Sequence, residues 1–178
     1  MREIIEAIGE DPQREGLRDT PRRVAEMYDE VFCGLSQAPE EELRVGFEEG
    51  HHEMVLVKGL SLYSMCEHHL LPFYGTAHIA YIPRGRVIGA SKLARLLDIF
   101  ARRPQIQERL ANQIVDTLMK EVQPQGAAVV LEAEHFCMTI RGVRRPGSKI
   151  VTSALRGVFR ERPSTRAEFF SLISNPNA

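Results

Sequence analysis

The sequence predicts an α+β fold in which one antiparallel sheet carries a pair of helices on one face. The first third of the chain shows helical apolar periodicity, and later runs are rich in β-branched and aromatic residues. Two amphipathic helices separate an early pair of these strands from a later pair, an order typical of a sheet covered on one side. The open face and edges of such a sheet favour association with further copies of the chain.

The N-terminal region, residues 1–50, is predicted to be helical. A short helix with one apolar face occupies the first eight residues, and a longer amphipathic helix follows a break. In the longer helix Thr20 is the expected N-cap and Pro21 the first helical residue, with Gly34 at the end. The charged segment that follows predicts a short helix and an exposed loop.

The second region, residues 51–178, is predicted to contain the sheet. The first two strands are expected over 54–66 and 75–83, since both runs are β-branched and aromatic. Further strands are expected over 127–142 and 148–157. A domain of this kind is long enough to bury its own core.

Two amphipathic helices lie between these pairs of strands. The first has Ser91 available as N-cap, and the second is expected to begin at Pro104. A last helix, capped by Ser164, is expected to end near Ile173. The apolar stripes of the two central helices are formed by Leu93, Leu96, Leu97 and Phe100, and by Ile106, Leu110, Ile114 and Leu118.

Composition excludes several classes of protein. The chain has 178 residues, of which 43% are hydrophobic and 26% charged, with a formal net charge of −1, as in an ordinary globular protein. Balanced charge and few aromatic residues argue against a nucleic-acid partner. No apolar run reaches the roughly 20 residues of a membrane span. The three cysteines form a poor disulfide framework, and we expect a cytoplasmic protein with reduced thiols.

Two short segments concentrate the residue types that bind transition metals. Cys66 and His69 are separated by two residues, a spacing with which one turn directs both side chains at one ion. His135 and Cys137 would share one face of a strand. Since adjacent residues of an extended chain face opposite ways, either His68 or His69 binds and the other is free. Three or four such donors favour Zn²⁺.

The pattern alone leaves three interpretations of these segments. They fit a closed structural zinc site, an open catalytic one, or buried thiols and hydrogen-bonded histidines without a metal. Glu67 and Glu134, beside the clusters, are further acid/base candidates. Cys33 ends an amphipathic helix and is interpreted as a packing residue, and His78 as an ordinary strand residue.

Basic residues cluster in two further segments. Lys92 and Arg95 are three apart at a helix start, where the helix dipole also favours an anion, although a solvated charged face is the alternative. Arg141 is predicted on the same strand face as Cys137. Metal-bound water beside such cations suits a phosphorylated substrate. The segment 142–149 approximates a phosphate-binding loop, but its last two residues are reversed and a strand follows, so we reject that interpretation.

Long stretches of the chain resemble the zinc-dependent GTP cyclohydrolase I family. The resemblance covers about residues 8–173 and implies the tunnelling fold (T-fold) for residues 51–178. It further implies pentamers that close an oligomeric β-barrel, two pentamers per decamer, and active sites at subunit interfaces. The stretches that carry it are GEDPQREGLRDTPRRVAEMYDEVF, SMCEHHLLPFYGTAHIAYIP, VIGASKLARLLDIFARR, QIQERLANQIVDTL, HFCMTIRGVRRPGSKIVTSALRGVF and TRAEFFSLI.

The resemblance also implies roles for individual residues. Cys66, His69 and Cys137 correspond to three zinc ligands, with a fourth position left for water, which indicates catalysis. His68, His135 and Ser91 correspond to groups that move protons. Those that bind substrate are Glu108 and Gln107 at the guanine edge, and Ser91, Lys92, Arg95 and Arg141 at the triphosphate.

The implied reaction converts GTP and water into formate and 7,8-dihydroneopterin triphosphate, the first step of tetrahydrofolate biosynthesis. Zinc activates water for attack on C8 of the purine while His135 protonates N7, and a second hydrolysis releases formate. Two alternatives compete with this interpretation. The first is an NADPH-dependent nitrile reductase of the same fold, which uses a nucleophilic cysteine and lacks the three zinc ligands. The second is a non-catalytic zinc-binding interaction protein, which would have a closed site with four protein ligands.

Overall fold

The computed structural model describes residues 1–175, so residues 176–178 at the end of the predicted second region lie outside it. The helices of the described residues are α1 Arg2–Ala7, α2 Thr20–Val31, α3 Pro39–Glu42, α4 Ala90–Ala101, α5 Gln107–Glu121, α6 Phe136–Thr139, α7 Val158–Glu161 and α8 Pro163–Ser174. The strands are β1 Gly46–Glu48, β2 Val55–Cys66, β3 Pro72–Ile82, β4 Arg86–Ile88, β5 Pro104–Gln105, β6 Gly126–His135 and β7 Lys149–Gly157.

The main sheet has the strand order β5-β2-β3-β6-β7 within the described residues. The four long strands pair in antiparallel fashion, which confirms the predicted α+β class. The two-residue β5 pairs in parallel with the end of β2, and a separate small sheet joins β1 to β4. Three of these elements, β1, β4 and β5, are too short for apolar periodicity to reveal them.

The main core lies between the sheet and the helices α4 and α5. The predicted stripes of both helices are buried there, except that Ile106 is only half-buried because it precedes α5 as its N-cap residue. Leu43 from the N-terminal region is fully buried in the same core. The domain boundary predicted at residue 50 stays a prediction. Contacts cross it, since Leu43 packs in the main core and β1 pairs with β4.

The opposite face of the sheet is partly covered by the C-terminal helices. Phe159 and Phe169 are fully buried there, with ring centroids 5.6 Å apart in an edge-to-face contact. They pack on Ala80 and Ala128. The expectation of an open face is therefore wrong beneath α7 and α8, whereas Tyr63 of β2 remains 71% exposed.

The helices begin at residues other than those predicted. Asp19 is the N-cap of α2, and Thr20 is already helical, with its hydroxyl donating to the Gly16 carbonyl. Gly89 is extended and precedes α4, which leaves Ser91 inside the first turn. Arg162 precedes α8, and Ser164 lies within it. None of these three helices has a side-chain cap hydrogen bond. The preference of serine and threonine for N-cap positions therefore predicted the wrong first residue in each.

The predicted start of α5 at Pro104 is also wrong. Residues Pro104–Gln105 are extended because they pair with β2, and the Gln105 carbonyl accepts the Glu67 N–H at 3.0 Å. Gly34 lies in a 3₁₀ turn, Cys33–Ser36, rather than at the end of α2. No helix among residues 1–175 combines the length and the apolar character needed to cross a membrane.

Candidate metal and substrate site

The turn between β2 and β3 brings His69 to Cys66. The Cys66 carbonyl accepts the backbone N–H of His69 at 3.3 Å and of Leu70 at 2.8 Å, and Leu70 adopts a φ of 48° to complete the turn. As a result, Nδ1 of His69 lies 3.7 Å from Sγ of Cys66. The neighbouring His68 is exposed, with its ring nearly perpendicular to that of His69.

Cys137 reaches the same place from β6. The register between β3 and β6 pairs Phe73 with His135, so the end of β6 lies beside the start of β3. The predicted strand over 127–142 ends at His135, and the chain turns into α6, where the Thr139 hydroxyl donates to the His135 carbonyl at 3.1 Å. His135 and Cys137 therefore do not share a strand face, and the same turn removes Arg141 from the predicted strand.

Three potential ligand atoms converge at this point. One atom each from Cys66, His69 and Cys137 lies within 4.8 Å of the others, and this group includes no fourth donor from residues 1–175. Two thiols and one imidazole are donors that Zn²⁺ prefers, and three protein ligands leave one tetrahedral position open. The donor set fits zinc, and no fourth protein donor of this group lies among the described residues.

The cysteine environment affects metal loading. Burial raises the pKa of the Cys137 thiol, and the neighbouring Cys66 raises it further. The positive charge of Arg141 lowers this pKa by a smaller amount. Without metal, the Cys137 sulfur is therefore held as a thiol at neutral pH.

Zinc binding should consequently release protons and strengthen as pH rises. A thiol with a raised pKa must lose its proton to bind, so each proton displaced changes the apparent affinity by about tenfold per pH unit. We expect zinc affinity, measured by competition with a chromogenic chelator, to increase by at least about tenfold between pH 6 and pH 7. An affinity independent of pH would contradict thiolate ligation by Cys137.

His135 is buried and fixed in orientation. Its ring stacks on Phe73 with centroids 4.4 Å apart, and its Nε2 lies 2.8 Å from Oε1 of Gln107. Burial lowers the pKa of His135, against an opposing effect of the Glu108 carboxylate. Phe73 was not singled out from the sequence, because only the strand register reveals that it supports the imidazole.

The Gln107 amide determines which nitrogen of His135 carries a proton. Gln107 is only 2% exposed, and its Nε2 faces the Leu131 carbonyl at 3.2 Å and the Ile150 carbonyl at 2.9 Å. Because the amide nitrogen occupies those acceptors, Oε1 must accept the Nε2–H of His135. The neutral ring then has its free lone pair on Nδ1. Gln107 contacts strands and His135, a different environment from the guanine edge implied by resemblance.

A cavity of about 170 Å³ adjoins the convergent atoms, and its lining includes Glu108 and His135. Glu108 is exposed, and no hydrogen bond or ion pair within residues 1–175 holds its carboxylate.

The acids Glu67 and Glu134, beside the ligand residues, are held by other groups. Glu67 forms a bidentate ion pair with Arg109, which lowers the pKa of Glu67. The Gly147 N–H and the Thr139 hydroxyl lower the pKa of Glu134. Both of these acids are therefore held ionised by structural contacts.

The predicted phosphate-binding residues lie apart from this cavity. Ser91, Lys92 and Arg95 are on α4 and do not contribute to its lining. Lys92 and Arg95 instead form ion pairs with Glu42, at 3.2 and 3.4 Å. Sequence spacing gave no indication of these pairs, because Glu42 is 50 residues from Lys92.

Comparison with known proteins identifies the family. The family model described as GTP cyclohydrolase I matches residues 1–174. The chain belongs to the GTP cyclohydrolase I family. The family predicted from the sequence motifs is thereby confirmed.

Relatives in the GTP cyclohydrolase I family match almost the whole chain. The chain is 64% identical over 176 residues to GTP cyclohydrolase 1 of Carboxydothermus hydrogenoformans, covering 98% of this chain and 92% of that protein. It is 62% identical over 175 residues to GTP cyclohydrolase 1 of Thermobifida fusca, covering 97% and 84%. Among solved structures, the apo form of the archaeosine synthase QueF-Like matches with a TM-score of 0.44 and 19% identity, covering 58% of this chain and 93% of that chain.

Proposed function

We propose that this protein hydrolyses GTP to formate and 7,8-dihydroneopterin triphosphate in the cytoplasm, at a zinc site formed by Cys66, His69 and Cys137. The observation that carries the proposal is the convergence of three ligand atoms within 4.8 Å, with no fourth donor in the group among the described residues. Membership in the GTP cyclohydrolase I family supports the substrate. The product would enter tetrahydrofolate biosynthesis.

Zinc held by these three residues would supply a Lewis acid and lower the pKa of water to about 7. His135 transfers a proton to N7 of the purine: its Nδ1 first takes the proton that the attacking water loses and then gives it to N7, since protonation there weakens the imidazole ring of the base. The hydrogen bond from Nε2 to Gln107 leaves Nδ1 as the nitrogen that gains and loses this proton. His68 and Ser91 move protons during the later ring opening and closure.

Glu108 binds the guanine edge. A carboxylate accepts two parallel N–H groups, such as N1–H and the 2-amino group of guanine, and such charge-assisted bonds are about twice as strong as neutral ones. The exposed, unpaired state of the Glu108 carboxylate leaves both of its oxygens available within the described chain. Gln107 assists by orienting His135 next to that edge.

The triphosphate is bound by Ser91, Lys92, Arg95 and Arg141, and the complete site requires more than one chain. A cavity of about 170 Å³ is smaller than the roughly 300 Å³ at which small-molecule pockets begin. Because the α4 residues are outside its lining, we propose that a neighbouring chain supplies their cations. The resemblance to the family supports a T-fold assembly for this purpose, with pentamers that close a β-barrel and pair into a decamer.

The test is product formation with and without metal. Purified protein should release formate and a fluorescent pterin from GTP, lose both after treatment with a chelator, and recover both when zinc returns. A protein shown to bind one zinc per chain that forms no product would contradict the proposal. A zinc-binding interaction protein would then be the better interpretation.

A further inference from the structure

The Glu42 carboxylate forms ion pairs with Lys92 and Arg95, the two cations that bind the triphosphate in the proposed function. Its Oε2 lies 3.2 Å from Nζ of Lys92 and 3.4 Å from Nη1 of Arg95. The side chains of Glu42 and Lys92 are only 27% and 22% exposed, so water and salt screen this pair less than an exposed surface pair. Lys92 and Arg95 together lower the pKa of the Glu42 carboxyl, with the Lys92 hydrogen bond as the largest cause.

The backbone on the C-terminal side of Glu42 is anchored. Leu43, the next residue, is fully buried in the main core. The Arg86 guanidinium donates to the carbonyl oxygens of Leu43 and Arg44, which ties the end of α3 to β4. The carboxylate is therefore presented to α4 by a fixed segment, and only its side chain has to rotate for the contact to open.

A carboxylate in this position resembles a phosphate group in chemistry. Both are anionic acceptors that take charge-assisted hydrogen bonds from ammonium and guanidinium groups. Phosphate oxygens cannot take the same donors while Glu42 holds them. Ligand binding at Lys92 and Arg95 thus requires exchange of one anion for another.

We propose that Glu42 is a specificity-determining residue, an intramolecular competitor that occupies Lys92 and Arg95 until a polyphosphate displaces it. This proposal rests on the proposed role of both cations in binding the triphosphate. A tethered carboxylate excludes monoanions and weakly charged ligands, whereas a triphosphate chain carries enough charge to replace it. Glu42 therefore selects for the number of phosphates rather than for the base.

The surroundings give the displaced carboxylate a place to move. Beside Glu42 lies a cavity of about 270 Å³ whose walls include Asp98 and the two cations Arg95 and Arg102. The Arg102 guanidinium contacts the thiol of Cys33 at 3.5 Å. Rotation into this space would bring the carboxylate near Arg102 and also near the Asp98 carboxyl, whose pKa burial raises, so that it carries its opposing negative charge less readily.

The opposite role for Glu42 is that it holds Lys92 and Arg95 in position for the ligand. The two roles predict changes of opposite sign when the charge is removed. The isosteric variant Glu42→Gln should bind inorganic tripolyphosphate about two- to fivefold more tightly than the wild type, the range that corresponds to releasing ion pairs near the surface. The KM for GTP should fall in parallel, while kcat stays within about twofold of the wild type.

The experiment is calorimetric titration of the full-length protein with tripolyphosphate. Glu41→Gln is the matched control, since Glu41 is also on α3 but pairs with Arg44 at 3.9 Å and is 65% exposed. This control should bind like the wild type. Unchanged or weaker binding by Glu42→Gln would overturn the proposal.

A third variant separates this inference from the function on which it rests. Lys92→Ala should weaken tripolyphosphate binding by at least about tenfold if Lys92 binds phosphate. Weak binding by Lys92→Ala together with unchanged binding by Glu42→Gln would retain the phosphate site and overturn only the role of Glu42. Unchanged binding by Lys92→Ala would overturn both.

Discussion

Replacing Cys137 with serine should abolish stable zinc binding and lower formate release from GTP by about 10³-fold or more. The Cys137 sulfur is one of the three convergent donors, so its loss leaves two protein ligands and too few contacts to retain the ion. A Lewis acid contributes several kcal/mol to the transition state, and each 1.36 kcal/mol is about tenfold in rate. Zinc content by elemental analysis and formate production would both be measured.

Cys33→Ser is the matched control for this prediction. Cys33 is also a free, partly buried cysteine, but it lies in the 3₁₀ turn after α2 and contacts Arg102 instead of the ligand group. This variant should bind one zinc per chain and retain its rate within about twofold. Full zinc content and activity in Cys137→Ser would show that Cys137 is not a ligand.

The second large effect is expected for Glu108→Ala. A site built to hydrogen-bond a polar substrate group loses about 10⁴-fold or more in discrimination when that bond is absent. We expect kcat/KM for GTP to fall by at least about 10³-fold, while zinc content stays at one per chain because Glu108 is outside the ligand group. This combination separates an enzyme from a zinc-binding interaction protein, in which Glu108 would have no function.

Asp116→Ala is the control on the same helix. Asp116 lies on α5 beyond the cavity and forms an exposed ion pair with Arg156 at 2.8 Å. Its removal should cost less than about 1 kcal/mol of stability and leave kcat/KM unchanged within about twofold. A loss of activity as large as that of Glu108→Ala would indicate damage to α5 as a whole. Normal turnover by Glu108→Ala would contradict the guanine-binding role.

Local patterns predicted most of the architecture. Apolar periodicity located the central helices, since each buries one continuous stripe, and runs of β-branched and aromatic residues located the four long strands. The two-residue spacing of Cys66 and His69 is also local, because one turn brings both donors together. Neither observation depends on distant parts of the chain.

The remaining features depend on contacts that a linear pattern does not contain. The chain turns at Phe136–Thr139 instead of continuing as a strand because the Thr139 hydroxyl donates to the Glu134 carboxylate and to the His135 carbonyl. The β-branched and aromatic residues of this segment predict a strand and give no sign of these bonds. The partner of Glu67 is Arg109, 42 residues away, and that of Lys92 is Glu42. Such pairs follow from the packing of elements and become visible only in three dimensions.

The buried amide of Gln107 connects the His135 ring to the edge of the main sheet. Two of the groups that fix it, the Ile150 carbonyl and the Thr152 hydroxyl, belong to β7, the edge strand of the main sheet. Edge strands open more readily than central ones, and a partner that pairs with β7 suppresses this opening. In the assembly proposed above, a chain that paired with β7 would therefore also stabilise the position of the Gln107 amide, which accepts the hydrogen bond of the His135 imidazole.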